Sequence, residues 1–243
     1  MSAITGTITE NQLRAFQLCP KYVSFGGKDV FPDQVNLLKL TTEKAIAETI
    51  RNNQLDPTMK YMKHLLRSSK ELQLNARYLE GQLRELESKT GILLGELFNN
   101  FEAHNFLPVF GPAPWRVKVS KSVIELSISG ILLENNGAAI HVIDFSPYQN
   151  LHGLRSDPIT KLKAQTLLSF VRPWFNENAT ATLHTFSISE KDKLLYLQSK
   201  PDKVKQESLR QIQRTVRGLE MGLDFPVLPC NRACTFKSRC GLE

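Results

Sequence analysis

The chain reads as an α+β protein: a mixed central sheet flanked by helices, with an N-terminal helical insertion and a Cys-rich C-terminal tail. Three observations predict this. From about residue 33 to 103, apolar residues recur at helical spacings of three and four. After Phe106 the texture changes and the apolar period becomes two. Three of the four cysteines then fall at 230, 234 and 240. A length of 243 residues suits one domain spanning 1–243, with residues 33–105 as a helical subdomain and 225–243 as a tail.

Residues 7–18 predict a short helix. Thr9 and Gln12 have capping-box spacing, Leu13 and Phe16 follow on one face, and Cys19-Pro20 ends it. Leu37, Leu40, Ile46 and Ile50 form one helical stripe, and Pro57 opens another with Met59, Met62, Leu65 and Leu66. Leu72, Leu79, Leu83 and Leu86 form a third, separated by Gly91 from Leu93, Leu94, Leu97, Phe98 and Phe101. These stripes are core faces. Pro108, Gly111, Pro112 and Pro114 predict a punctuated loop. Strands follow at Val117–Val119, Ile124–Ser129 and Ala139–Phe145, with a hairpin turn at Asn135-Asn136-Gly137. The nearly continuous apolar run of 139–145 suits the middle of a sheet. Asp157-Pro158 starts a helix over Ile159–Phe170, Ala181–Ile188 is a strand, and Pro201 opens a helix to Met221. On that last helix Leu209, Ile212, Val216 and Leu219 face one way and Arg210, Arg214 and Arg217 the other.

Composition narrows the function classes. The apolar fraction of 41% and charged fraction of 23% exclude wholesale disorder, collagen and coiled coil. No apolar run approaches the ~20 residues of a membrane helix. The opening Met1-Ser2-Ala3-Ile4-Thr5 has no secretory character, so a cytoplasmic or other reducing compartment is expected and secretion is not. A net charge of +7 favours polyanionic partners, DNA or RNA.

In a reducing compartment, Cys19, Cys230, Cys234 and Cys240 are better read as metal ligands than as two disulfides. Three and five residues separate the terminal cysteines, so one loop can place three sulfurs around a centre that Cys19 completes. Zinc and an iron–sulfur cluster both accept four thiolates. No Gly-rich phosphate loop, Gly-x-Ser-x-Gly elbow or HExxH motif is present. His141 is expected to be a hydrogen-bonded core histidine on the strand face opposite Asp144.

Leu13-Arg14-Ala15-Phe16-Gln17-Leu18-Cys19-Pro20-Lys21-Tyr22, the strands around Gly130 and Asp144, and Phe225-Pro226 ahead of the three terminal cysteines together resemble the RecB-type PD-(D/E)XK nucleases. The iron–sulfur-stapled RecB/AddB-like and CRISPR-adaptation nucleases are the branch they resemble. The resemblance implies an α/β/α restriction-endonuclease-like core. It also implies a [4Fe–4S] cluster on Cys19, Cys230, Cys234 and Cys240, with zinc as the alternative because Cys230 and Cys234 stand one residue further apart than usual.

The family's catalytic residues are a Gly-x-x-Asp strand, an Asp/Glu-x-Lys strand, and a following Gln-x-x-x-Tyr helix. Two carboxylates there hold Mg²⁺, which activates a water. Here Leu133 stands at the first Asp position, Asp144 survives, and Ser146 replaces the Lys. Gln165 remains but Ser169 replaces the Tyr, and Glu96 is the best candidate for an upstream helix ligand. Glu134 lies next to Leu133, on the other strand face unless a bulge intervenes. Losing a metal carboxylate and a preorganised cation together removes most metal-dependent cleavage. The expected protein is therefore a catalytically inactive nuclease-fold subunit of a replication, repair, transcription or viral complex. Lys161, Lys163, Arg210, Arg214 and Arg217 would be its nucleic-acid contacts. The competing expectations are an Mg²⁺- or Mn²⁺-dependent deoxyribonuclease with a rearranged site, and a protein-binding adaptor.

Overall fold

The computed structural model describes residues 6–18, 31–52, 80–119, 121–134, 139–171, 175, 178–201 and 206–221. The chain is mixed α+β. It divides into two compact units, one of residues 1–30, 115–126 and 205–243, the other of residues 31–114 and 127–204.

In the first unit, strand β1 (Thr7–Thr9) leads directly into helix α1 (Glu10–Leu18). The capping box forms: Thr9 N–H donates to Gln12 Oε1 at 2.9 Å, and Gln12 N–H donates to Thr9 Oγ1 at 3.3 Å. Leu13, Ala15 and Phe16 bury one face of α1, and Arg14 pairs with Glu10 at 2.8 Å, both buried. The sequence pattern extended the helix back to residue 7. Instead Thr7–Thr9 pairs in parallel with Val123–Glu125 of strand β4 (Ser122–Ile128). Strand β3 (Ala113–Val119) lies on the other side of β4. Helix α6 (Gln206–Met221) buries Ile212, Val216 and Leu219.

The second unit is built on a five-stranded sheet, ordered β2 (Phe106–Phe110), β5 (Gly130–Glu134), β6 (Ala139–Phe145), β7 (Thr180–Ile188), β8 (Leu194–Ser199). Neighbours are antiparallel except β6 and β7, which are parallel. A parallel pair requires a crossover. Helices α4 (Leu151–Ser156) and α5 (Pro158–Val171) supply it.

Helices α2 (Asp33–Asn52) and α3 (Glu80–Ala103) cover one sheet face. Val35, Leu38, Ala45, Leu93, Leu94, Leu97, Phe98 and Phe101 pack there with Leu132, Ile143, Phe145, Phe186 and Ile188 in one buried cluster. Helix α5 covers the face carrying Asp144, burying Ile159, Leu162, Ala164, Leu167 and Val171.

Gly91 does not break α3, which runs through it from Glu80 to Ala103. A helical glycine costs only about 1 kcal/mol, less than the packing of Leu93, Leu94 and Leu97 supplies. The segment expected to be a Pro-rich loop is two strands, β2 and β3. Pro108 is tolerated because β2 is an edge strand, and its register shifts between Pro108 and Phe110. Strand β8 has no counterpart among the elements that the sequence pattern predicts. Residues 53–79, which carry the Met59 and Leu72 stripes, lie outside the described residues.

Asp157 terminates the loop before α5. Its Oδ1 accepts from Ile159 N–H at 3.0 Å and its Oδ2 from Thr160 Oγ1 at 2.8 Å, while Pro158 occupies the first helical position. Asp157→Ala should lower stability by about 1–2 kcal/mol, read as a fall in urea midpoint at unchanged slope. An unchanged midpoint would show that the cap contributes nothing.

Candidate functional site

The strand register sorts the site residues between two faces. Leu133 pairs with Ile140 and Leu132 with His141, and alternate residues of a strand share a face. Leu133 therefore lies on the face of Ile140, Val142 and Asp144. Glu134 lies with Leu132 and His141. The pairing of residues 130–133 carries no bulge, so Glu134 stays on the face away from Asp144.

Asp144 is 2% exposed. Its Oδ1 accepts from Lys163 Nζ at 2.6 Å, and the same ammonium donates to the Ser127 carbonyl at 2.7 Å. Lys163 points inward from α5 and is fully buried. The expectation that it contacts a nucleic-acid backbone is thereby corrected: helical position alone does not reveal which way a Lys on a covered face turns.

Ser146 donates from Oγ to Asp157 Oδ2 at 3.1 Å and ties the end of β6 to the cap of α5. The cation beside Asp144 comes from α5 rather than from two residues along its own strand.

Glu43 on α2 completes the group. It accepts from Ser129 Oγ at 2.8 Å and stands 4.0 Å from Lys39. Burial raises its pKa above the usual carboxylate value; Lys39 and the Ser129 hydrogen bond oppose that, and Asp144 adds to it. No sequence signal singles out Glu43, because its hydrogen-bond donor Ser129 comes from a segment 86 residues away.

Of the other expected residues, Gln165 is exposed on α5 and Lys161 is half-buried. Arg210, Arg214 and Arg217 are all exposed on α6. Cys19, Cys230, Cys234 and Cys240 lie outside the described residues. Among the described residues, no group of three or more His, Cys, Asp or Glu is placed to hold a metal ion.

Glu96 is found on the opposite face, lining a cavity of about 790 Å³ with Asn99, His104, Glu134, His141 and Tyr196. Here His141 Nδ1 meets His184 Nε2 at 2.8 Å, His184 Nδ1 meets the Tyr196 hydroxyl at 2.9 Å, and His141 Nε2 meets Glu134 Oε1 at 3.3 Å. His141 is thus a hydrogen-bonded histidine, as its strand position predicts. Phe106 stacks on its ring at 4.0 Å between centroids. Burial lowers the pKa of His141 and pushes that of His184 down to about 3. Sequence patterning does not reveal His184 and Tyr196, because their shared face exists only once β8 pairs with β7.

No described helix is long and apolar enough to cross a membrane. No protein-family model matches the chain. No curated protein matches it either. Among solved structures that resemble it is one described as "Crystal structure of SSO0001". The likeness has a TM-score of 0.33 and 16% identity, over 82% of this chain and 93% of that one.

Proposed function

We propose that this chain is a non-cleaving RecB-like nuclease-fold protein, a nucleic-acid-binding or structural subunit of a nucleic-acid-processing complex. The observation that carries the reading is the buried Asp144–Lys163 pair. In a nuclease of this class the surviving carboxylate faces a divalent ion. Here an internal ammonium sits against it at 2.6 Å, with apolar Leu133 on the same sheet face. One carboxylate already neutralised by a cation does not fit Mg²⁺, which needs uncompensated oxygen ligands in near-octahedral array. Three antiparallel strands, a helical crossover and a parallel fourth strand, with helices on both faces, support the α/β/α restriction-endonuclease-like core.

Nucleic-acid binding is supported by the net charge of +7 and by three arginines exposed along one helix. DNA or RNA and the other proteins of such a complex are the partners. The spacing of Cys19, Cys230, Cys234 and Cys240 supports a [4Fe–4S] cluster, or zinc, that staples the two chain ends. Iron and zinc analysis of the purified protein decides between them; neither metal at stoichiometric level overturns the staple.

Arg210→Glu, Arg214→Glu and Arg217→Glu together should weaken single- and double-stranded nucleic-acid binding at least tenfold. The slope of log affinity against log salt should fall by about one for each phosphate left without its arginine. Unchanged affinity and slope would assign the arginines to plain surface. The competing reading, a metal-dependent nuclease, is favoured by Glu43, whose carboxylate is electrostatically coupled to Asp144 and Lys163. It requires Mg²⁺- or Mn²⁺-dependent cleavage that disappears in Asp144→Ala. The inactive reading expects no cleavage with either ion.

A further inference from the structure

The cavity on the His141 face is used by neither reading above, and its proton arrangement says what it can hold. An ionised carboxylate only accepts hydrogen bonds. Glu134 Oε1 therefore accepts a hydrogen bond from His141 Nε2–H, which leaves His141 Nδ1 as an acceptor. His184 must then carry its proton on Nε2 and accept at Nδ1, where the Tyr196 hydroxyl donates. Every proton in the relay points from Tyr196 toward Glu134 and none points into the cavity. Burial keeps the two imidazoles neutral.

The groups at the relay left for a ligand are acceptors, the Tyr196 oxygen and the second Glu134 oxygen; the Glu96 carboxylate and the neutral side chains of Asn99, Asn100, His104 and Gln198 line the rest of the cavity. Among the described residues lining the cavity there is no Lys or Arg, although the chain as a whole is basic. Phe106 and Tyr196 add aromatic surface, and Tyr196 is 46% exposed. Carboxylates over aromatic rings suit an alkylammonium, which donates up to three hydrogen bonds and lies well on π faces. A volume of about 790 Å³ is in the range of small-molecule sites.

We infer that this cavity binds a small organic cation of the aliphatic polyamine class, held by Glu96, Glu134 and the Tyr196 oxygen. An ammonium placed there completes the relay by donating to the Tyr196 oxygen, whose own proton is committed to His184. Two carboxylates with no Lys or Arg among the described lining residues repel phosphate, and a neutral polyol brings no charge to either carboxylate. The site is independent of nuclease ancestry, since it lies on the sheet face away from Asp144.

The test is calorimetric titration of the full-length protein with spermidine at physiological salt, with 1,4-butanediol and inorganic phosphate as controls. Saturable one-to-one spermidine binding is expected, with neither control binding. Glu96→Gln, at an exposed helix position, should weaken it at least tenfold, and Tyr196→Phe severalfold. Absence of spermidine binding, equal binding of the diol or phosphate, or unchanged affinity in Glu96→Gln would overturn the inference. Nitrogen-15 spectra of the histidines give a readout that needs no ligand. Both His141 and His184 should be neutral with the proton on Nε2; the opposite tautomer at either would refute the proton order that leaves the Tyr196 oxygen to accept from the ligand, and with it the inference.

Discussion

Lys163→Ala should destabilise the protein by about 3–5 kcal/mol, because it strands the Asp144 carboxylate in a buried site without its cation. Lys163 contributes charge compensation to Asp144 and a hydrogen bond to the Ser127 carbonyl, and alanine supplies neither. The loss should appear as a lower urea midpoint with little change in slope. The double variant Asp144→Leu, Lys163→Met removes both charges while roughly conserving volume, so it should recover most of that stability or exceed the parent. A single variant costing under about 1 kcal/mol would mean that Asp144 is not isolated from water, and the case against a metal site there would fall with it. Lys163→Ala should also leave the protein without Mg²⁺-dependent cleavage, because Leu133 still offers no second carboxylate on that face.

Acid should unfold this protein through His184 and His141. Their folded pKa values lie below the free value of 6.5, so the unfolded chain takes up protons that the folded chain refuses. Their stabilising contribution is complete above pH 6.5 and is lost as pH falls from there toward about 3, the His184 value. The slope approaches at most about 1.4 kcal/mol per pH unit for each histidine in that window. Glu43 works in the opposite sense. Its folded pKa is raised from 4.5, so its contribution is present below that value and fades as pH rises through the folded one. Glu43→Gln keeps an oxygen for Ser129 and should steepen the acid limb of the stability curve. Urea midpoints at pH 7, 6, 5 and 4 for the parent, Glu43→Gln and His184→Phe measure both effects. A parent curve flat from pH 7 to 4, or one unchanged in His184→Phe, would contradict the buried neutral pair.

What the amino-acid sequence determined by itself was local. Thr9 and Gln12 specify a helix start because the cap closes over three residues. Asp157-Pro158 specifies the next for the same reason, with the carboxylate and the ring acting within one turn. The period-two apolar runs of β6 and β7 announce strands, and alternation alone puts His141 opposite Asp144. That Leu133 and Ser146 stand where the resembled motif has an acid and a lysine was legible because motif spacing is itself local.

Only the tertiary structure decided where charges and rings meet. Lys163 reaches Asp144 across 19 residues, Ser129 reaches Glu43 across 86, and His141 meets His184 across 43. Strand periodicity says which face a residue occupies and nothing about what covers that face. The helix over Asp144 turned an expected surface lysine into a buried counter-ion, and the pairing of β8 with β7 brought Tyr196 to His184. Edge position likewise let Pro108 sit in a strand, because a missing N–H has no cost where no neighbour needs it. Burial and long-range pairing set the energy of these groups, and neither is a property of a residue's sequence neighbours.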